Sequence, residues 1–258
     1  FKMKALIRGM RGEFLKMRHT FLPLLHIGVP VSGCAVFLLY YRFSDWDEMN
    51  RISGYTQVIG VALPFLVSIV CAGNIRLEEQ NHFQVLLGGW KAKWEGLTVK
   101  YLVLAGMELL TITGALALFG AGSWLLLPAF GEGKSFAAGM YLLLVAALFL
   151  GSLPLYLEHL FLNLAFSGTV SQCVGVAQFL LSALFLTGLG EGRWRFFPCT
   201  WSARGAMLAL SGIYQENPGD VYFAELRQTV FICLLLLAVI CVIIGLWYHY
   251  FEGRQCND

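Results

Sequence analysis

Charge is scarce in this chain. Only 13% of its 258 residues are Asp, Glu, Lys or Arg, about half the usual share of a soluble domain, while 58% are hydrophobic and mean hydropathy is +0.68. That balance excludes a soluble globular fold and points to an integral membrane protein. A net charge of +2 is too small to attract nucleic acid. Cysteine is uninformative. Cys34, Cys71, Cys173, Cys233 and Cys241 fall inside apolar runs, and Cys199 and Cys256 stand alone, so neither a disulfide framework nor a metal spacing is present. The sequence also lacks a Walker-type phosphate loop, an HExxH zinc pair and a GxSxG nucleophile elbow. No internal repeat breaks the chain into units, so 1–258 reads as a single transmembrane domain.

What is present is grease in long runs. Continuous apolar stretches cover about 21–41, 53–75, 97–119, 136–157, 170–189 and 229–250. Each is near the roughly 20 residues that a helix needs to cross a bilayer. A membrane barrel would instead show alternating segments of about ten residues. The expected fold is therefore all-α, with six transmembrane helices. The first run follows the charged stretch 1–19 without a small-residue cleavage site, so it reads as a crossing rather than a removable leader.

Six crossings place both ends on one side. That side carries Lys2, Lys4, Arg8, Arg11, Lys16, Arg18, Arg76, Lys91, Lys93, Lys100 and Arg254. The other carries Arg42, Arg51, Lys134, Arg193, Arg195, Arg204 and Arg227. Positive residues accumulate on the cytoplasmic face, so both termini are expected in the cytoplasm and the chain in the plasma membrane.

Residues 1–19 form an amphipathic pattern, with Met3, Ile7, Met10, Phe14 and Met17 on one side and cations around the rest. Such a helix lies in the membrane interface. His26 reads as a packed polar residue, Pro30 and Pro64 as bends, and Trp46 as an interface anchor. Glu108 is an ionisable residue within the third crossing, and Glu158, His159 and Asn163 close the fourth. These are candidates for a substrate path, or for hydrogen bonds between helices. Gln172 and Gln178 suit the second role. The connection 190–227 is half apolar, too short for another crossing, and interrupted at Pro198 and at Asn217–Pro218–Gly219. It fits a re-entrant outer segment with Phe197, Pro198 and Trp201 as a possible gate or cap.

The most polar stretch between two crossings is 76–93, RLEEQNHFQVLLGGWKAK. Phe83, Leu86, Leu87 and Trp90 recur at i, i+3, i+4 and i+7, one apolar face of a short helix with Glu78 and Glu79 in its first turn. Paired carboxylates can activate water. Together with His159 and Asn163 they suggest an intramembrane protease of the CPBP kind. That family's motif, however, has an Arg where Phe83 stands, and its FxxxH element is absent, Leu155 preceding His159. A non-transporting scaffold or sensor is a third possibility.

Most of the chain resembles the lantibiotic-immunity permeases, membrane subunits of the type-2 (ABCG-like) ATP-binding-cassette exporters. The resemblance rests on the basic opening that ends in EFLKMRHTFLPLLHIGVP at 13–30, then Trp46, Pro64, the Glu78–Glu79–Gln80 and Phe83–Gln84–Leu86 stretch, and Phe197–Pro198 with Trp201 before the last crossing. His82 departs from the family pattern, which favours a small residue there. The resemblance implies a six-crossing permease without its own ATP site. It would pair with a second permease subunit and bind a cytoplasmic ATPase dimer, which supplies ATP and Mg, while this chain holds no cofactor. The cargo would be an antimicrobial peptide of the lantibiotic type, or in close relatives another peptide or a lipid. Segment 76–95 would then be the coupling element, with Glu78, Glu79, Gln80, Phe83, Gln84, Leu86, Leu87 and Trp90 meeting the ATPase.

Overall fold

The computed structural model describes residues 3–90, 92–127, 138–214 and 219–253. Lys2, Lys91, Lys134, Arg254 and Cys256, the expected turn through Pro128, Gly131 and Gly133, and the Asn217–Pro218 break lie outside them. Among the described residues every element is helical: α1 (Met3–Met17), α2 (Leu22–Arg42), α3 (Glu48–Glu79), α4 (Gln84–Gly88), α5 (Lys93–Leu126), α6 (Ala138–Ala165), α7 (Gly168–Phe185), α8 (Trp201–Tyr214) and α9 (Asp220–Tyr250). Three 3₁₀ turns lie between α7 and α8.

Six of these helices, α2, α3, α5, α6, α7 and α9, are long and apolar enough to span a bilayer. The chain is thus a multi-pass membrane protein of the expected class. Several helices outrun their apolar runs, because polar residues at their ends extend and cap them. Asp47 N-caps α3 by accepting from the Asn50 N–H at 2.8 Å, and Ser167 does the same for α7 from Val170 at 3.2 Å. Pro30, Pro64 and Pro154 lie inside helices that continue past them.

The central helix is α3, packed on α7, α6 and α8. Small residues make this possible. Gly175 of α7 sits over Ser68 of α3, so close that a Cβ there would strike the serine side chain. By contrast α2 and α9 are peripheral. In their most apolar windows only 11% of residues are buried, against 56% for α3, and their outward faces (Leu24, Ile27 and Val36; Phe231, Leu234 and Ile243) suit lipid.

The outer segment 190–227 contains α8. It packs against α6 and α3 with its N-terminal part buried: Ser202, Ala203 and Ala206 are all inaccessible, as is Thr200 just before it. Backbone meets backbone at two glycines. A Cβ on Gly60 would lie 2.5 Å from Ala203 Cα, and one on Gly151 would lie 2.5 Å from the Ser202 amide nitrogen. Gly151 is near the middle of α6, so α8 starts deep in the bundle and runs outward.

Two arginines hold that entry. Arg204 donates from Nε to Phe185 O, at the end of α7, at 2.6 Å and from its guanidinium to Thr187 O at 2.7 Å. Arg195 reaches Gln228 Oε1 at 2.9 Å and Glu225 Oε1 at 2.8 Å, tying the 3₁₀ segment to α9. In the sequence both read only as cations of the outer connection.

Candidate functional site

The polar stretch 76–93 differs from its expected form. Glu78 and Glu79 are not in the first turn of a short helix. They close the last turn of α3, whose buried face continues through Asn74 and Ile75 to Glu78. A helix C-terminus disfavours carboxylates, so positive charge has to be supplied there.

Two lysines supply it. Lys100 Nζ, 1% exposed, donates to Glu13 Oε2 at 2.7 Å, Asn74 Oδ1 at 2.8 Å and Glu78 Oε1 at 3.0 Å, using all three of its protons. Lys16 Nζ reaches Glu13 Oε1 at 2.6 Å and Glu78 Oε1 at 2.7 Å. Asn74 also donates to the Met17 sulfur at 3.0 Å. Two carboxylates and two ammonium groups thus form a neutral quartet joining α1, α3 and α5, buried at Glu13, Glu78 and Lys100 and half-buried at Lys16. Burial alone would lower the Lys16 pKa, but its hydrogen bonds and charge pairing with Glu13 and Glu78 outweigh burial and raise it. Of this quartet, only Glu78 was singled out from the sequence. Lys100 was legible as an ionisable residue in an apolar run. Glu13 was legible as a carboxylate on the helical face that carries Met10 and Met17.

After α3 the chain turns sharply. His82 N–H donates to Glu79 O at 2.9 Å and Phe83 N–H to Glu78 O at 2.9 Å, the paired bonds of a Schellman C-cap. His82 and Phe83 both take left-handed backbone (φ 50° and 56°). His82 occupies the C′ position that glycine fills at least cost.

The short helix α4 spans only Gln84–Gly88, and its apolar side is covered by the chain itself. Phe83 is 1% exposed and meets the Phe251 ring edge-on at 6.0 Å, and Leu86 is 2% exposed. Leu87 is half-buried and would touch a Cβ placed on Gly253. Trp90 lies past the end of α4. Its ring slots between Gly9 of α1 and Gly96 of α5, so close that a Cβ on Gly96 would lie 2.8 Å from it and one on Gly9 would collide. The face expected to dock a partner is therefore spent inside the molecule. What the cap presents outward is Arg76, Gln80, Asn81, His82, Gln84 and Val85.

The remaining predicted residues fall in separate places. His159 is fully buried between Ser171 Oγ and Gln178 Oε1, each at 2.9 Å from one ring nitrogen, and Gln178 donates on to Glu158 Oε1 at 2.8 Å. Asn163 donates to Ser171 Oγ at 2.8 Å. This chain of bonds knits α6 to α7, the part expected for Gln178. Glu78 bonds to Lys16 and Lys100, while His159 bonds to Ser171 and Gln178. Glu79 and Asn163 line a polar recess of about 250 Å³ with Arg76, Thr169 and Gln172.

Glu108 is 3% exposed, and its Oε2 accepts from Ser152 Oγ of α6 at 2.8 Å. Thr111 bonds instead to Met107 O. His26 Nδ1 lies 2.7 Å from Leu22 O, and since a carbonyl only accepts, that nitrogen carries the proton. Phe197 packs edge-on against Phe185 at 5.0 Å, Pro198 opens a 3₁₀ turn, and Trp201 is buried with its indole N–H on Arg195 O at 2.9 Å. Among the described residues no cluster of three metal-ligating side chains occurs. No protein-family model matches the chain, and neither curated proteins nor solved structures give a significant match.

Proposed function

We propose that this chain is the membrane-spanning subunit of an ATP-driven exporter, powered by a separate cytoplasmic ATPase dimer and paired with a second permease subunit. Its cargo on this reading is an antimicrobial peptide of the lantibiotic type, moved from the membrane to the outside so that the cell is protected. The observation that carries the proposal is the Glu13–Lys16–Glu78–Lys100 quartet. An engine on one side of a membrane can move helices only through a stiff element joined to several of them. The quartet joins the polar cap at the end of α3 to α1 and α5 by buried, charge-assisted bonds, which are the strong ones.

The division of labour follows from burial. Phe83, Leu86 and Trp90 fix the cap to the bundle. Gln80, His82, Gln84 and Val85 meet the ATPase. Glu78 transmits, and does not itself contact the partner. A substrate path along Glu108, Glu158 and His159 and an outer gate at Phe197–Trp201 belong to the same reading.

The test is co-purification of the tagged chain with its ATPase in mild detergent, together with peptide resistance of cells expressing variants. Val85→Asp with Gln84→Ala should release the ATPase while leaving the permease folded. Retention of both the ATPase and resistance would remove the cap from the coupling path.

A further inference from the structure

A second feature lies at the same end of the bundle. Between α5, α6 and α9 runs a groove of about 760 Å³, within the range of sites that hold whole small ligands. Its walls are apolar, formed by Leu97, Leu157 and Ile244. Gly245 keeps it open, because a Cβ there would meet nothing within 4 Å. Its mouth is not apolar. Lys93 and His249 stand there, and no carboxylate lines the groove. Lys93 Nζ makes one hydrogen bond among the described residues, to Phe251 O at 3.2 Å, and so keeps further protons for a ligand. Tyr248, 2% exposed, also lines the groove, with its hydroxyl buried. Trp94, 56% exposed beside Lys93, is the residue type that settles at the headgroup level of a bilayer.

We propose that this groove holds an anionic glycerophospholipid, its phosphate at Lys93 and His249 and an acyl chain along Leu97 and Ile244. The occupant follows from two complementarities. A groove with greasy walls and a polar mouth at the ends of its helices matches an amphiphile lying along the bilayer normal. A cationic mouth without a carboxylate selects a negative headgroup, as basic clefts between membrane helices do. A cationic peptide would meet Lys93 as a like charge, so the groove is not the route of such a cargo. The bound lipid would wedge α9 against α5 beside the capped end of the bundle.

The inference is independent of the exporter reading, since it is tested on the purified chain alone. The chain is stripped of lipid in detergent and titrated with palmitoyl-oleoyl phosphatidylglycerol, or with phosphatidylcholine carrying the same chains. Retention is read by native mass spectrometry, with thermal unfolding as a second readout. One phosphatidylglycerol should be retained with about fivefold preference, the effect of one lysine. Lys93→Gln should reduce the preference, Lys93→Gln with His249→Gln should abolish it, and Lys93→Arg should keep it. Gly245→Leu should lower retention of both lipids by filling the groove. Equal retention of the two lipids by the unmodified chain, meaning annular lipid only, overturns the proposal. So does a preference that survives Lys93→Gln with His249→Gln.

Discussion

Lys100 and Glu78 meet at 3.0 Å inside the bundle, across 22 residues of sequence that leave α3, form the polar cap and enter α5. The contact closes the cap into a loop fastened at its base, and Glu13 and Lys16 extend the fastening to α1. A cap so held moves with three helices at once.

Removing one member strands the others. Lys100→Met leaves Glu13 and Glu78 buried with only Lys16 between them, and should cost about 3–5 kcal/mol. Adding Glu13→Gln and Glu78→Gln should recover much of that loss, since burial of uncompensated charge is what makes the single change costly. Thermal or denaturant unfolding in detergent measures both. A single change that costs less than about 1 kcal/mol would mean the quartet is solvated.

The pH dependence of Lys16 has a definite sign. Its folded pKa is raised above 10.5, so its contribution to stability is complete below that pH and is lost as pH climbs through the raised value. Arginine stays charged throughout. Above about pH 10.5 the unmodified chain should therefore lose stability relative to Lys16→Arg. Parallel melting curves for the two proteins from pH 7 to 12 would contradict the pairing.

His82 is a place where the sequence opposes its own turn. With φ at 50° in the C′ position, a Cβ costs about 1 kcal/mol that glycine does not incur. His82→Gly should raise stability by up to about 1 kcal/mol, and His82→Val should lower it. Differential scanning of the three proteins is sufficient. A loss of stability in His82→Gly would show that the imidazole makes a compensating contact.

Close approach of α8 to α3 and α6 predicts intolerance of side chains. Gly60→Val and Gly151→Val should each cost at least about 1–3 kcal/mol, because backbone rather than a flexible side chain lies where the new atoms must go. Gly28→Val on the lipid side of α2, where a Cβ meets nothing, is the matched control. Equal melting temperatures for all three would mean that α8 does not insert as described.

The crossings were legible because the bilayer dictates about 20 apolar residues per helix, and little else produces such runs. The apolar content of the segment 190–227 was legible, but its clamps were not. Arg195 and Arg204 read as loop cations, since their carbonyl and carboxylate partners come from distant helix ends. The apolar pattern Phe83–Leu86–Leu87 was real and its occupant was misread. Periodicity shows that a face is covered, never by what, and here Phe251 and the glycines of α1 and α5 cover it and the nearby Trp90. Lys100 was counted toward orientation because a lysine near the end of an apolar run looks like an interface cation. Only the fold brings Glu13, Asn74 and Glu78 around it.

The most direct test of the account is purification of the tagged chain from its native membrane in mild detergent, with mass-spectrometric identification of what it carries. The account predicts an ATP-binding-cassette ATPase in stoichiometric amount, lost in Val85→Asp with Gln84→Ala while the permease stays folded. Recovery of the chain without any ATPase would contradict it.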